Sequence, residues 1–163
     1  MQMTSYFNPE LLISLIVPED WTTSLAGDKK LRLFGLPERG LEDYFDEYRV
    51  TMSYELINYP VGQKSDNFRE MISENNRIME SEYNEYSLIS EAFYESGTHP
   101  AYRKIYTWRD EETGLRLYQL QAFIYRGPDT LYLINAAVVE KLKDNYLPVF
   151  ESILASTRII PSA

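Results

Sequence analysis

Apolar side chains recur at every second residue through the middle and later parts of the chain, and two further stretches repeat at helical spacing. Over residues 48–57, Tyr48, Val50, Met52, Tyr54 and Leu56 share one face of an extended chain, and Arg49, Thr51, Ser53 and Glu55 the other. That alternation predicts a strand with one buried side. Upstream, residues 1–10 read as a polar lead-in and Leu11–Val17 as a first strand stopped by Pro18. A turn beginning at Gly27-Asp28 precedes a short strand over Leu31–Gly35, and residues 36–47 read as an exposed acidic loop. Pro60 and Gly62 break the chain before residues 66–81, where Phe68, Met71, Ile72, Asn75, Ile78 and Met79 form one helical stripe. Ser65 or Asp66 is placed to cap that helix by accepting from an orphan N–H.

Four strands follow in close order, Tyr86–Glu95, Tyr102–Arg109, Leu115–Arg126 and Leu131–Val138, joined by short Gly-containing connections. Such spacing predicts hairpins and an antiparallel meander. The last strand is apolar almost throughout, which predicts cover on both faces of the sheet. A second helix carries Tyr146, Leu147, Phe150, Ile153 and Leu154 on one stripe, with Pro148 expected in its first turn, where a missing N–H costs little. Thr157–Ile160 is expected to add a short terminal strand. No linker or repeat divides the chain, so residues 1–163 read as one α+β domain.

Charge changes the picture more than composition does. The net charge is −9. Residues 38–95 hold 14 acids and 5 bases, which gives −9, and the remaining 11 acids and 11 bases cancel. Binding to nucleic acid needs clustered cations to displace phosphate counterions, so the reading is no nucleic acid and no anionic membrane. No apolar run reaches the roughly 20 residues of a membrane span. The absence of cysteine excludes disulfides and thiolate sites and fits a cytoplasmic location. No cofactor and no metal site is expected. The lone His99 lies in a loop-like stretch, Gly97-Thr98-His99-Pro100, and cannot build a His-rich zinc site. Phosphate-loop and nucleophile-elbow motifs are absent as well, so no catalytic residue is assigned.

The 14 tyrosines suit half-buried strand faces. Gln119 and Gln121 lie two apart, on the strand face that also carries Phe123 and Tyr125. They read either as structural polar residues or as hydrogen-bonding groups in a groove lined by Tyr102, Tyr106, Trp108 and Tyr125. With Trp21, dropped onto the fold by the Pro18-Glu19-Asp20-Trp21 turn, these are the candidate binding residues.

The order of elements, with Pro18-Glu19-Asp20-Trp21, Phe68, Gly97-Thr98-His99-Pro100-Ala101-Tyr102, the Gln119/Gln121 pair and the closing Phe150-Glu151-Ser152-Ile153-Leu154-Ala155-Ser156-Thr157, resembles the PsbP-like and DcrB-like superfamily over residues 11–158. That resemblance implies a three-layer α/β/α sandwich around a central, mainly antiparallel sheet of about six or seven strands, with two main helices. It also implies a non-enzymatic role, since members serve as extrinsic photosystem subunits, GTPase-binding factors or small chaperones of secreted effectors. A cone-shaped sheet of the nuclear-transport-factor type is the alternative fold. The function expected is a binding or adaptor module that meets another protein through a sheet face or rim. The alternatives are a chaperone that shields an apolar segment and, after it, an enzyme of unknown reaction.

Overall fold

A computed structural model describes residues 1–25, 27, 29–59 and 65–161. Ten strands and two main helices run in the order β1 Met3–Asn8, β2 Ile13–Pro18, β3 Thr22–Leu25, β4 Lys30–Phe34, β5 Thr51–Asn58, α1 Ser65–Glu82, β6 Ser87–Ser96, β7 His99–Arg109, β8 Arg116–Tyr125, β9 Thr130–Val139, α2 Lys143–Ser156 and β10 Arg158–Ile159. A short 3-10 turn, Glu140–Leu142, leads into α2. Seven strands form one antiparallel sheet in the order β3-β4-β5-β9-β8-β7-β6, and β1-β2-β10 form a second.

Strand parity separates two cores. On one face of the large sheet, Met52, Tyr54, Ala122, Ile124, Ile134 and Ala136 pack against Leu11, Ile13 and Leu15 of the small sheet and Phe150, Ile153 and Leu154 of α2. On the other face, Phe68 and Ile72 of α1 pack on Tyr102, Phe123 and Leu131. The result is the expected α+β sandwich: α1, the seven-stranded sheet, then α2 beside the small sheet. Hydrogen bonds stitch the second layer to the third, from Tyr132 Oη to the Leu11 carbonyl at 2.5 Å and between Tyr54 Oη and Thr157 Oγ1 at 2.6 Å.

The β6–β9 meander, the helix over 66–81 and the terminal strand all form where the pattern places them. Several expectations are corrected. The polar lead-in is strand β1, whose apolar Met3 and Phe7 face outward and so leave no buried alternation to read. Strand β3 is exposed at all four residues and carries no burial signal either. Tyr48 precedes its strand, forms an isolated bridge with Glu38, and accepts a hydrogen bond from the Val139 N–H on its hydroxyl. The loop over 36–47 is mostly exposed but anchors through Leu41, which is 4% accessible. Pro148 is the sixth residue of α2, past the first turn, because the helix begins at Lys143 directly from the 3-10 turn. Asp28, Pro60, Gly62 and the capping side chains of Ser65 and Asp66 lie outside the described residues.

Candidate functional site

Six of the seven candidate residues share the α1 face of the sheet. The antiparallel register sets Tyr102 opposite Phe123 and Tyr106 opposite Gln119, and Trp108, Gln121 and Tyr125 follow by parity. Trp21 does not join them. It sits in the opposite core, with ring centroids 6.4 Å from both Tyr146 and Phe150.

Gln121 belongs to a row of polar residues that crosses the entire sheet. Register pairs link Ser24 to Arg32, Arg32 to Ser53, Ser53 to Asn135, Asn135 to Gln121, Gln121 to Lys104 and Lys104 to Glu91. Each of the seven strands contributes one member. Helix α1 covers the middle of this row and meets it with two asparagines. Asn75 Nδ2 donates to Gln121 Oε1 at 3.1 Å, and Gln121 Nε2 donates to Asn135 Oδ1 at 3.3 Å. Asn76 Nδ2 donates to Tyr102 Oη at 2.9 Å, and Tyr102 Oη donates to Glu91 at 2.5 Å.

Lys104 is the centre of the layer and is fully buried. Its ammonium donates to Asn76 Oδ1 at 2.9 Å, Tyr86 Oη at 3.0 Å and Met79 Sδ at 3.2 Å, and lies 4.7 Å from the Tyr106 ring centroid. Burial pushes the amine down to about 8, with Glu91 pulling weakly the other way. The Tyr102 phenol is pushed up, first by burial and then by its bond to Glu91. Beneath α1 the polar groups are matched to one another, so Gln121 and Tyr102 register the helix on the sheet through specific polar contacts. The exception is Tyr106, whose buried hydroxyl has no partner. An unmatched buried hydroxyl costs about 1–3 kcal/mol. Tyr106→Phe is therefore expected to leave the urea midpoint unchanged or higher, while Tyr102→Phe, which strips two partners, lowers it.

Gln119 accepts from Trp108 Nε1 at 2.5 Å, and Trp108 stacks edge-on against Tyr83 at 5.2 Å. Tyr125 lies beside Phe68, with ring centroids 6.1 Å apart. These contacts account for the aromatic face as packing under α1. Alongside the helix runs an open groove of about 290 Å³, with Met71, Ile78, Leu133 and Ile57 among its walls and Gln121 on its lining.

The polar row emerges from cover at Glu91, on β6. Among the described residues, this outermost strand pairs only with β7. It carries three exposed apolar side chains, Leu88, Ile89 and Phe93, at 43%, 53% and 41% accessibility. A bulge at Ile89 interrupts the register, and pairing then runs without a break from Ser90 to Ser96. Concavities flank this straight run on both faces. One of about 330 Å³ is lined by Phe68, Arg69, Phe93 and Pro100, where the Arg69 guanidinium sits 4.0 Å over the Phe93 ring. The other, of about 500 Å³, is lined by Arg103, Leu154, Ala155 and Arg158 beneath the end of α2. Glu95 borders both. His99 opens β7 opposite Ser96, at the end of the same edge. Among the described residues, no group of three or more His, Asp or Glu side chains is placed to hold a metal ion, and no helix is long and apolar enough to cross a membrane.

No protein-family model and no curated protein sequence matches this chain. Solved structures do. The chain is similar to a Pseudomonas aeruginosa protein of unknown function, PA94, described as a putative regulator, with 15% identity, a TM-score of 0.64, and coverage of 100% of this chain and 99% of that one. It is similar to cyanobacterial PsbP (CyanoP) from Synechocystis, with 12% identity, a TM-score of 0.62 and coverage of 96% and 92%. It is also similar to the Ran-binding protein Mog1p of Saccharomyces cerevisiae, with 11% identity, a TM-score of 0.63 and coverage of 98% and 96%. At these identities the likeness is one of fold, and the PsbP-like fold expected from the short sequence motifs is the fold observed.

Proposed function

We propose that this protein is a non-enzymatic binding module of the cell interior that holds an extended segment of a partner protein along the outer edge of its large sheet. The observation that carries this reading is β6, an edge strand unpaired on one side, with apolar side chains exposed and a concavity on each face. An unpaired strand edge presents a row of free backbone donors and acceptors that a further strand can complete. Alternate residues of an added strand point to opposite faces. Beside Ser90–Ser96, one set would enter the Phe68/Phe93 concavity and the other the Leu154/Ala155 concavity. Main-chain bonds supply affinity in this mode, and the two concavities select the sequence. Glu91 and Glu95 belong to the acidic stretch over 38–95 and favour a segment that also carries basic residues. The similarity in fold to a protein named for binding Ran is in keeping with a role in protein recognition.

The groove beside α1 supports a second reading, in which Met71, Ile78 and Leu133 shield an apolar segment of the partner. One experiment separates the two. Peptides selected from a phage-displayed random library against the intact protein are mapped by hydrogen exchange and tested against Ala155→Trp, which fills the α2-side concavity from an exposed position. The edge reading expects protection of the Ser90–Ser96 amides and a loss of at least about tenfold in affinity. Protection confined to Met71–Ile78 and Leu131–Leu133, with affinity unchanged by Ala155→Trp, would sink it in favour of the groove.

A further inference from the structure

Where the hairpin between β7 and β8 meets the 39–44 loop and the start of α2, an open cavity of about 610 Å³ is lined by Arg109, Arg116, Lys141 and Lys143. It shares no lining residue with the two concavities beside β6. We propose that this cavity binds a small ligand carrying an oxyanion, phosphate or carboxylate, on a partly apolar body.

The charge placement is the first reason. A chain of net charge −9 brings four of its 16 cations to one cavity whose lining holds a single carboxylate, Glu140. Converging like charges are unfavourable without a counter-ion. Glu85 offsets the two guanidinium groups from outside, which leaves the two lysines facing the cavity for a bound anion to offset. The second reason is that the guanidinium groups are already fixed. Glu85 accepts from Arg109 Nε at 2.7 Å and from Arg116 Nη2 at 3.1 Å, just outside the cavity. Arg109 Nη1 donates to the Gly114 carbonyl at 2.7 Å, and Arg116 Nη1 reaches Thr107 Oγ1 at 3.3 Å. Two guanidinium groups so held need little further ordering to meet a ligand, which lowers the entropic cost of binding.

The lysines are less compensated. Lys143 has one ion pair, at 3.9 Å, to an Asp144 side chain that is 92% exposed, a contact of little strength. Lys141 takes part in none of the salt bridges among the described residues, and the exposed Glu42 carboxylate only lies within its field. Its ammonium reaches across Gly40, where a Cβ would come to 3.0 Å of Nζ. The third reason is the rest of the wall. Leu41, Leu115 and Val139 line the same space, so the ligand it fits carries apolar surface beside its charge. The volume falls within the roughly 300–1,000 Å³ range of small-molecule sites. The negative field of the whole chain does not favour anions at a distance, so recognition here is short-range and rests on these four side chains.

The test is an amide NMR titration of the intact protein with phenyl phosphate and, separately, phenylacetate, with ionic strength held constant by sodium chloride. The expected result is saturable shifts of the Gly40, Gly114 and Leu115 amides with at least one probe, the tighter of the two identifying the oxyanion. Lys141→Gln combined with Lys143→Gln weakens that binding by about tenfold, while Lys141→Arg retains it and both variants keep the remaining spectrum. Shifts that rise without saturating, that sodium chloride alone reproduces, or that are unchanged in the double glutamine variant overturn the proposal.

Discussion

Lys104 alone is expected to add about 2 kcal/mol to the free energy of unfolding between pH 7 and pH 10, which appears as a rising limb that starts at about pH 8. Burial holds its amine at about 8 in the folded protein, below its ordinary 10.5. Below pH 8 both folded and unfolded chains carry the proton, and the cost of burying the charge is felt in full. Between about 8 and 10.5 the folded chain has released a proton that the unfolded chain still holds, so raising the pH there favours folding. The gain is bounded from above by the buried phenols. Burial raises those of Tyr54, Tyr102, Tyr106 and Tyr146, and that of Tyr94 to about 12. From about pH 9 upward the unfolded chain ionises its tyrosines before the folded one does, and stability turns down. Urea unfolding measured across this range should therefore peak at about pH 9, where the Lys104 and tyrosine contributions balance. In Lys104→Met the rising limb should be flat, although Asn76 and Tyr86 lose a partner and the stability at pH 7 changes little. A variant with the same rise as the parent protein would show that the Lys104 amine does not titrate in this window.

Phe150→Ala is expected to cost about 3–5 kcal/mol, the range for emptying a fully buried aromatic site. Phe150 is 0% accessible and lies in α2 against Trp21, edge-on at a centroid distance of 6.4 Å, and Tyr146. The helix packs against strands of both sheets, so the cavity left behind cannot close by a shift of α2 toward either one alone. Phe150→Leu, which keeps most of the volume, should lose less than half as much. The two tryptophans give the measurement spatial resolution, since Trp21 reports the α2 core and Trp108 the layer beneath α1. Loss of under about 1 kcal/mol in Phe150→Ala would mean that α2 does not hold the third layer as described.

What could be read from the sequence depended on whether a strand buries one face. Met52 and Tyr54 alternate with polar residues and are 0% accessible, so β5 is legible. Strands β1 and β3 were not, because Met3, Phe7 and Leu25 spend their hydrophobicity on the outside. The pattern on β7 and β8 brought Tyr102, Tyr106, Gln119 and Gln121 together correctly, since period-2 parity is enforced once α1 covers that face. It did not distinguish a lined groove from a core, which depends on where the helix lies across the strands. A tight turn fixes where a chain reverses but not which face of a distant sheet its indole meets, and Trp21 meets the α2 core. Lys104 stands between Tyr102 and Tyr106 at the same parity, a local signal that its side chain enters the α1 face. The β6 rim and the cationic cavity had no local signal, as each is assembled from segments far apart in sequence.

The small sheet joins regions of the chain that are remote from one another. Strand β10 pairs Arg158 with Ser14 and Ile159 with Ile13, and the Ile16 amide donates to Ser156 Oγ at 2.8 Å. Closing so wide a loop carries a large entropic penalty before any contact offsets it. On a ribosome, the meander of β6 to β9 can assemble while this closure must wait for residue 159 to leave the exit tunnel. Until then the third layer is incomplete, and Leu11, Ile13 and Leu15 lack the cover that α2 and β10 supply, which leaves apolar surface open to other chains.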